Sequence, residues 1–386
     1  MAAHNSSSIF NSNAEPVLTG RRIAAAAGWA LVWLALIDIA INLLFAMPKS
    51  PLLRPNSLQQ YFDYGRSVEG KIRRSVGETK ETTALVAYAG WLETDEADTL
   101  PTRASGPGHA LIAAYGQSFT FQLCEALKKL DPRFELRPAK GGPGAPLAHS
   151  YAAFQADISR QQADIAVIGI LASSLPRNVS PTTMTAWFEA PTPFTYPRYR
   201  LMDGKLEATD PFLHSMADLR AALREPARWQ AYVDFLRHND PAFDPWVFES
   251  GLLDHSALAR LVRRGYGQKH LHDVNARYWG PDGFTNADGL LDVSVALMAD
   301  FAAQAKAKGQ LPYIVLFQDR GYQDHLVRAF GKRLDRLGIP YFSTHQIAPS
   351  TNPRNFVADG HFRPEVEMEL ARAFRRDVLG RLNWAE

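Results

Sequence analysis

Three residues stand out for the chemistry they could do together. Ser118 follows Gly116 and Gln117, where the apolar stretch "HALIAAYG" gives way to the helical pattern "FTFQLCEALKKL". Far downstream, Asp359 and His361 flank Gly360 in "NFVADGHFRPEVEMELARAF", directly before the last helical stretch. A serine hydroxyl needs a base beside it to become a nucleophile. An imidazole oriented by a carboxylate can take that proton and later return it to a leaving group. Each piece alone has an ordinary reading: a serine at a helix start caps the helix, and an Asp-Gly-His tripeptide makes a turn. Joined in one pocket they would perform acyl transfer through a serine ester.

That outcome requires a fold that brings the two loops together, and the surrounding pattern predicts one. Strands are expected at "HALIAAYG", "FELRPAK", "ADIAVIGI", "LPYIVLF" and "IPYFST". Helices are expected at "FTFQLCEALKKL", "LAHSYAAFQADISRQQ", "YQDHLVRAFGKRLDRLG" and "PEVEMELARAFRRDVLGRL". Such alternation predicts an α/β fold with a parallel sheet covered by helices on both faces. Ligands of these sheets bind outside the carboxyl ends of the strands. Ser118, the "GGPGAP" loop at 141–146, the end of "AVIGI" and the loop before the last helix would all share that edge.

The alternation breaks between about residues 172 and 290. This stretch is first rich in proline and aromatics, then helical in "SMADLRAALREPARWQAYVDFLRHN" and "LDHSALARLVRRGYG". It predicts an insertion packed over the sheet edge. Trp187, Phe188, Phe194, Tyr196 and Tyr199 either stack on sugar rings or pack the insertion's own core; Trp187 and Tyr196 are the candidate substrate contacts.

On these blocks the chain resembles the SGNH, or GDSL-type, serine hydrolase superfamily, over roughly residues 108–175 and 310–382. The resemblance implies a flavodoxin-like three-layer parallel sheet, with the insertion and one N-terminal transmembrane helix lying outside the shared part. It makes Ser118 the nucleophile, His361 the general base and Asp359 its orienting acid. It builds the oxyanion hole from the Ser118 N–H, from Gly142 or Gly144, and from a donor after the third strand. Two departures matter, beside the smaller one of Asp-x-His spacing at Asp359 and His361 in place of Asp-x-x-His. Gln117 stands where the family places an aspartate. "LASSLPRN" puts Ser173 and Ser174 where an Asn-Asp pair is expected, leaving Ser173, Ser174 or Asn178 to donate. Losing one oxyanion donor costs ~10²–10³ in rate. The implied activity is an esterase or O-acyltransferase working on O-acetylated envelope or exported polysaccharide, with no cofactor. The alternative is a non-catalytic envelope scaffold or glycan-binding protein.

The segment "IAAAAGWALVWLALIDIAINLLFAM", residues 23–47, is long enough to cross a bilayer as a helix and longer than the apolar core of a signal peptide. Trp29 and Trp33 fall near one end, as interfacial aromatics do. Arg21 and Arg22 precede it and Lys49 and Arg54 follow, so charge barely sets orientation. The expectation is a single-pass protein of the bacterial inner membrane with its large domain in the periplasm. Residues 1–22 would be a disordered tail, 48–107 a linker containing a helix over 58–76, and 108–386 the α/β domain. Asp38 and Asn42 share one helix face. Either Asp38 is protonated or lies near enough to the interface to be wetted, or the two form a polar seam for a membrane partner.

Other features narrow the function. A net charge of +2 gives no basic face for nucleic acid. Cys124, the single cysteine, excludes an intrachain disulfide and a cysteine zinc cage and reads as an inert buried thiol. His270 and His272 lack a second ligand cluster, so no metal is expected. His345 either lines the pocket or bonds its own loop.

Overall fold

The computed structural model describes residues 20–48, 53–76, 98–140, 142 and 144–382. The tail up to residue 19, Lys49, and Gly141 and Pro143 of the glycine loop lie outside the described residues.

The first helix, α1 (Gly20–Leu44), starts three residues before the expected span and ends before Met47-Pro48. It is long and apolar enough to cross a membrane, and none of its residues is buried against the rest of the protein. The single helix expected over 58–76 is two, α2 (Ser57–Asp63) and α3 (Val68–Val76). Between them the Ser67 N–H leaves the helical ladder and donates to Asp254 Oδ1 at 2.9 Å. A backbone donor satisfied by a side chain no longer extends the helix.

The domain follows the expected order. It runs β1 (Ala110–Gly116), α4 (Ser118–Leu130), β2 (Phe134–Lys140), α5 (Leu147–Asp157), β3 (Ile165–Leu171) and a 3₁₀ segment, Ala172–Val179. The insertion contributes the hairpin β4 (Arg198–Met202) and β5 (Lys205–Thr209). Helices α6 (Met216–Arg224), α7 (Pro226–Asn239), α8 (Pro245–Phe248) and α9 (Ala257–Ala276) follow. The long helical stretch expected at 215–239 is divided at Pro226, which opens α7 because a ring nitrogen has no proton to bond backwards. A short ladder, β6 (Trp279–Gly280) with β7 (Gly283–Phe284), leads into α10 (Leu290–Ala307). That helix was not expected. The chain ends with β8 (Leu311–Phe317), α11 (His325–Leu337), β9 (Tyr341–Ser343) and α12 (Pro364–Leu382).

The five main strands are all parallel, in the order β2-β1-β3-β8-β9. Counted within the sheet this is 2-1-3-4-5, the flavodoxin-like order. Strand alternation divides the side chains into two cores. Ala110, Ile112 and Ala114 of β1 face α4 and α12, with Phe119, Leu127 and Phe374. Leu111, Ala113 and Tyr115 face α5, α10 and α11, with Phe154, Phe301 and Phe330. Helices therefore cover both faces, which is why the central strands β1, β3 and β8 read as near-unbroken apolar runs.

A third core joins Val68, Ile72 and Val76 of α3 to Phe188, Leu219, Trp229, Tyr232 and Phe248 of the insertion. The segment after α1 and the insertion thus form one subdomain. Lys71 is buried inside it, its ammonium donating to the Phe188 carbonyl and lying 3.8 Å from the Phe188 ring centroid. Burial holds that amine well below its ordinary pKa.

Candidate active site

The turn after β1 is shaped by one close approach. A Cβ on Gly116 would lie 2.2 Å from Thr120 Oγ1, so only glycine lets the strand turn directly into α4. Gln117 is the N-cap residue and makes no side-chain cap bond. Ser118, the first helical residue, is exposed, and its hydroxyl is turned elsewhere: Oγ lies 2.6 Å from His361 Nε2.

His361 is held by a small turn and by ring packing. The Gly360 N–H donates to the Val357 carbonyl at 3.1 Å, and the Val357 N–H donates to the His361 carbonyl at 2.8 Å. Phe356 and Phe362 bridge across this turn. The imidazole stacks on Phe119, one residue after the serine, with centroids 4.9 Å apart and planes 21° apart. Asp359 Oδ1 lies 3.1 Å from His361 Nδ1 and also accepts the His361 backbone N–H at 3.1 Å. These bonds hold its carboxyl below the usual range. The hydrogen-bond network assigns the Nδ1 proton toward Asp359 and leaves Nε2 to accept from Ser118. The structure therefore brings Ser118, His361 and Asp359 into one row. It also leaves Asp359 69% exposed, unlike the buried acid of the best-known triads.

The glycine loop comes from the neighbouring strand. Gly116 pairs with Lys140, so Gly142 follows β2 as Ser118 follows β1. Gly142 is buried and its carbonyl accepts the Ala145 N–H at 3.0 Å. Gly144 has φ +63, and a Cβ there would lie 2.1 Å from the Trp187 ring.

The stretch "LASSLPRN" after β3 departs from expectation. Ser174 does not offer its hydroxyl to the site; it donates to the Leu171 carbonyl at 2.9 Å. The Ser173 N–H donates to Asp319 Oδ1 at 3.0 Å. Asn178 accepts from the Ala148 N–H and donates to Ser294 Oγ at 3.0 Å, deep in the core. The side chains of Ser174 and Asn178 are consumed by the fold's own bonding, and the Ser173 N–H is taken by Asp319.

Two residues that the sequence did not single out are gathered here. The Arg177 guanidinium stacks over Trp187 at 4.1 Å, and its Nη1 lies 2.7 Å from the Cβ position of Gly144. That nitrogen is buried and has no hydrogen-bond partner among the described residues. Asp319, just beyond β8, has its carboxyl pushed up to about 6 by burial, with Ser173 and Arg177 pulling the other way. Arg177 lies within "LASSLPRN", but nothing in a sequence distinguishes a buried loop arginine from a solvated one.

The aromatic run divides. Tyr196 is not a substrate contact: it is 1% exposed, and its hydroxyl donates to the Thr182 carbonyl at 3.2 Å. Phe188 and Phe194 are buried, and Tyr199 packs edge-on against Tyr151. Only Trp187, part-exposed between Gly144 and Arg177, lies beside the glycine loop. His345 Nδ1 bonds Ser343 Oγ at 2.9 Å at the end of β9, and His270 Nε2 bonds the Ala242 carbonyl. Cys124 is buried, its thiol pushed up to about 12. Among the described residues no three His, Cys, Asp or Glu side chains form a group that could hold a metal ion.

Asp319 gives a pH prediction. Its folded pKa is raised, so the folded state binds more protons than the unfolded state between pH 3.8 and about 6. Stability should fall as pH rises through that window. Asp319→Asn should flatten this limb by ~1–2 kcal/mol, discounted for its part exposure. Urea midpoints measured across pH 4–7 on both proteins check this.

Set against protein-family models, curated proteins and solved structures, the chain matches none of them.

Proposed function

We propose that this chain is a serine esterase or O-acyltransferase. The observation that carries the reading is the contact row from Ser118 Oγ through His361 to Asp359 at 2.6 and 3.1 Å. Ser118 Oγ attacks an ester carbonyl as its proton passes to His361 Nε2. The tetrahedral intermediate collapses, and the departing alkoxide takes that proton from Nε2. A water or an acceptor hydroxyl then gives its proton to Nε2 and attacks the acyl-serine. Nε2 returns the proton to Ser118 Oγ as the acid or new ester leaves. Asp359 holds the ring and stabilises the transient imidazolium.

The Ser118 and Gly142 N–H groups are the proposed oxyanion donors, as the order of the strand ends suggests. Arg177 is the residue we assign to the donor position that Ser173, Ser174 and Asn178 leave open. Its support is the unpartnered Nη1 beside Gly144. Arg177→Met should lower kcat by ~10²-fold with the fold intact, as loss of one oxyanion donor does.

The substrate class proposed is an O-acylated glycan of the bacterial envelope, met by a domain held at the periplasmic face of the inner membrane. Trp187 is the aromatic face available to a sugar ring. Labelling by a fluorophosphonate probe tests the catalytic reading. Wild type should label and Ser118→Ala should not; equal labelling of both, or of neither, overturns it.

A further inference from the structure

The polar pair in α1 is occupied by the chain itself. Asp38 Oδ1 accepts the Ser256 hydroxyl at 3.0 Å and the Leu258 N–H at 2.8 Å, at the start of α9. Asn42 Oδ1 accepts from Arg260 Nη2 at 3.0 Å, while its Nδ2 donates to the Asp38 carbonyl at 2.9 Å. One turn further, Phe45 stacks on Phe62 of α2 at 5.2 Å, and Arg260 Nε donates to the Phe62 carbonyl at 2.7 Å. Only Asp38, Ile41, Asn42 and Phe45 of the stretch from Gly20 to Phe45 are part-covered; the rest is bare. Stepping from Asp38 to Asn42 steps from Leu258 to Arg260, so α9 leaves this contact in the same direction as α1.

Depth follows from helix geometry. Twenty residues at ~1.5 Å each span the ~30 Å hydrocarbon layer. Counted from Arg22, they reach residue 42. Asp38 then lies ~6 Å inside the boundary on the domain's side, and so do the groups bonded to it. A carboxylate placed there is costly unless protein covers it. The start of α9 is that cover, so it enters the layer too.

The surface around this contact is apolar to match. Outside α1, the exposed large apolar side chains among the described residues are confined to three elements, save Leu53, Met202 and Leu337. They are Leu58 and Tyr61 on α2, Leu252 and Leu253 in the turn before α9, and Val262 and Tyr266 on α9. Leu252 is 89% exposed and Val262 66%, and lipid beside α1 would cover both.

We propose that α2, Leu252–His255 and the first half of α9 form a collar around the end of α1 that is embedded in the bilayer leaflet on the domain's side. The occupant of this surface is lipid. Leu252 and Leu253 enter acyl chains, Val262 reaches the hydrocarbon boundary, and Leu58, Tyr61 and Tyr266 lie at the headgroup level, which amphipathic aromatics favour. The domain is then seated on the membrane at a fixed height, because α3 continues from the collar into the insertion's core. The proposal rests on α1 spanning a membrane and is independent of the catalytic reading.

The native thiol makes the test direct. Buried Cys124, with its pKa near 12, stays unlabelled, so one added cysteine carries the dye. Leu252→Cys, Val262→Cys, Leu31→Cys in α1 and Met202→Cys on the hairpin are labelled with an environment-sensitive nitrobenzoxadiazole. Each full chain is reconstituted in phosphatidylethanolamine–phosphatidylglycerol vesicles with or without doxyl-labelled lipid. Positions 252 and 262 should be blue-shifted and quenched severalfold more than position 202, as position 31 is. If 252 and 262 match 202 while 31 is quenched, the collar is overturned and the anchor stands. If 31 is also unquenched, the spanning reading falls and the collar with it. Quenching at 202 as strong as at 252 overturns the collar as a distinct surface.

Discussion

Replacing Ser118 or His361 with alanine should lower ester turnover by ~10⁴–10⁶, whereas Asp359→Ala should lower it only ~10–10²-fold. The first figure is the general cost of losing a nucleophile or its base from a concerted unit. The second follows from this site. Asp359 is 69% exposed, so water screens its attraction for the developing imidazolium. Two other features fix the ring without it. Phe119 stacks on the imidazole, and the Val357–His361 turn holds the backbone. Asp359→Ala should also raise the salt dependence of turnover little, since most of the screening is already present. Rates of p-nitrophenyl acetate hydrolysis by the three variants check the order. A loss of ~10⁴ for Asp359→Ala would mean that the carboxylate closes over His361 when substrate binds.

The centre of the sheet was legible because β1, β3 and β8 are covered on both faces and therefore read as near-continuous apolar runs, whereas the edge strand β2 carries Glu135, Arg137 and Lys140. Strand order was legible only as far as alternation implies it. The row of Ser118, His361 and Asp359 was legible for a different reason: Gly116-Gln117-Ser118 and Asp359-Gly360-His361 abut element boundaries, which place them on one edge. What failed was side-chain commitment. Ser174 and Asn178 offer suitable donors as residue types, yet their partners, Leu171 and Ser294, are chosen by backbone paths that no local pattern encodes. Tyr196 looked like a platform and is core, because aromatic residues serve burial and recognition with the same ring. Helix α10 was missed since it is apolar on more than one side, burying Leu297 and Phe301 while Val295 and Ala299 are part-covered. The meaning of Asp38 was hidden most completely, for its partners lie more than two hundred residues away in the insertion.

Asp157→Ala should destabilise the folded chain by ~3–5 kcal/mol, the range for breaking a buried pair from one side. Arg137 of β2 and Asp157 at the end of α5 are each 1% exposed. They meet through two bonds, Nε to Oδ2 at 2.9 Å and Nη2 to Oδ1 at 2.7 Å. The Tyr115 hydroxyl donates to the same Oδ2 at 3.0 Å, and Arg137 Nη1 donates to the Leu100 and Pro101 carbonyls at 3.1 Å. Removing the carboxylate strands a guanidinium and a phenol in a low-dielectric interior, where an unmatched charge is most costly. The pair itself need not add net stability. A combined Arg137→Met, Asp157→Leu and Tyr115→Phe variant should regain most of the loss, since no charge is then left unpaired. The consequence reaches the site, because β2 and α5 are the two ends of the unit whose connection carries Gly142 and Gly144. Asp157→Ala should therefore slow fluorophosphonate labelling of Ser118 at temperatures where the chain is still folded, and the triple variant should restore it. Urea midpoints of the full chain in detergent, read beside labelling rates, decide both points. A loss below ~1 kcal/mol for Asp157→Ala would mean that water reaches the pair.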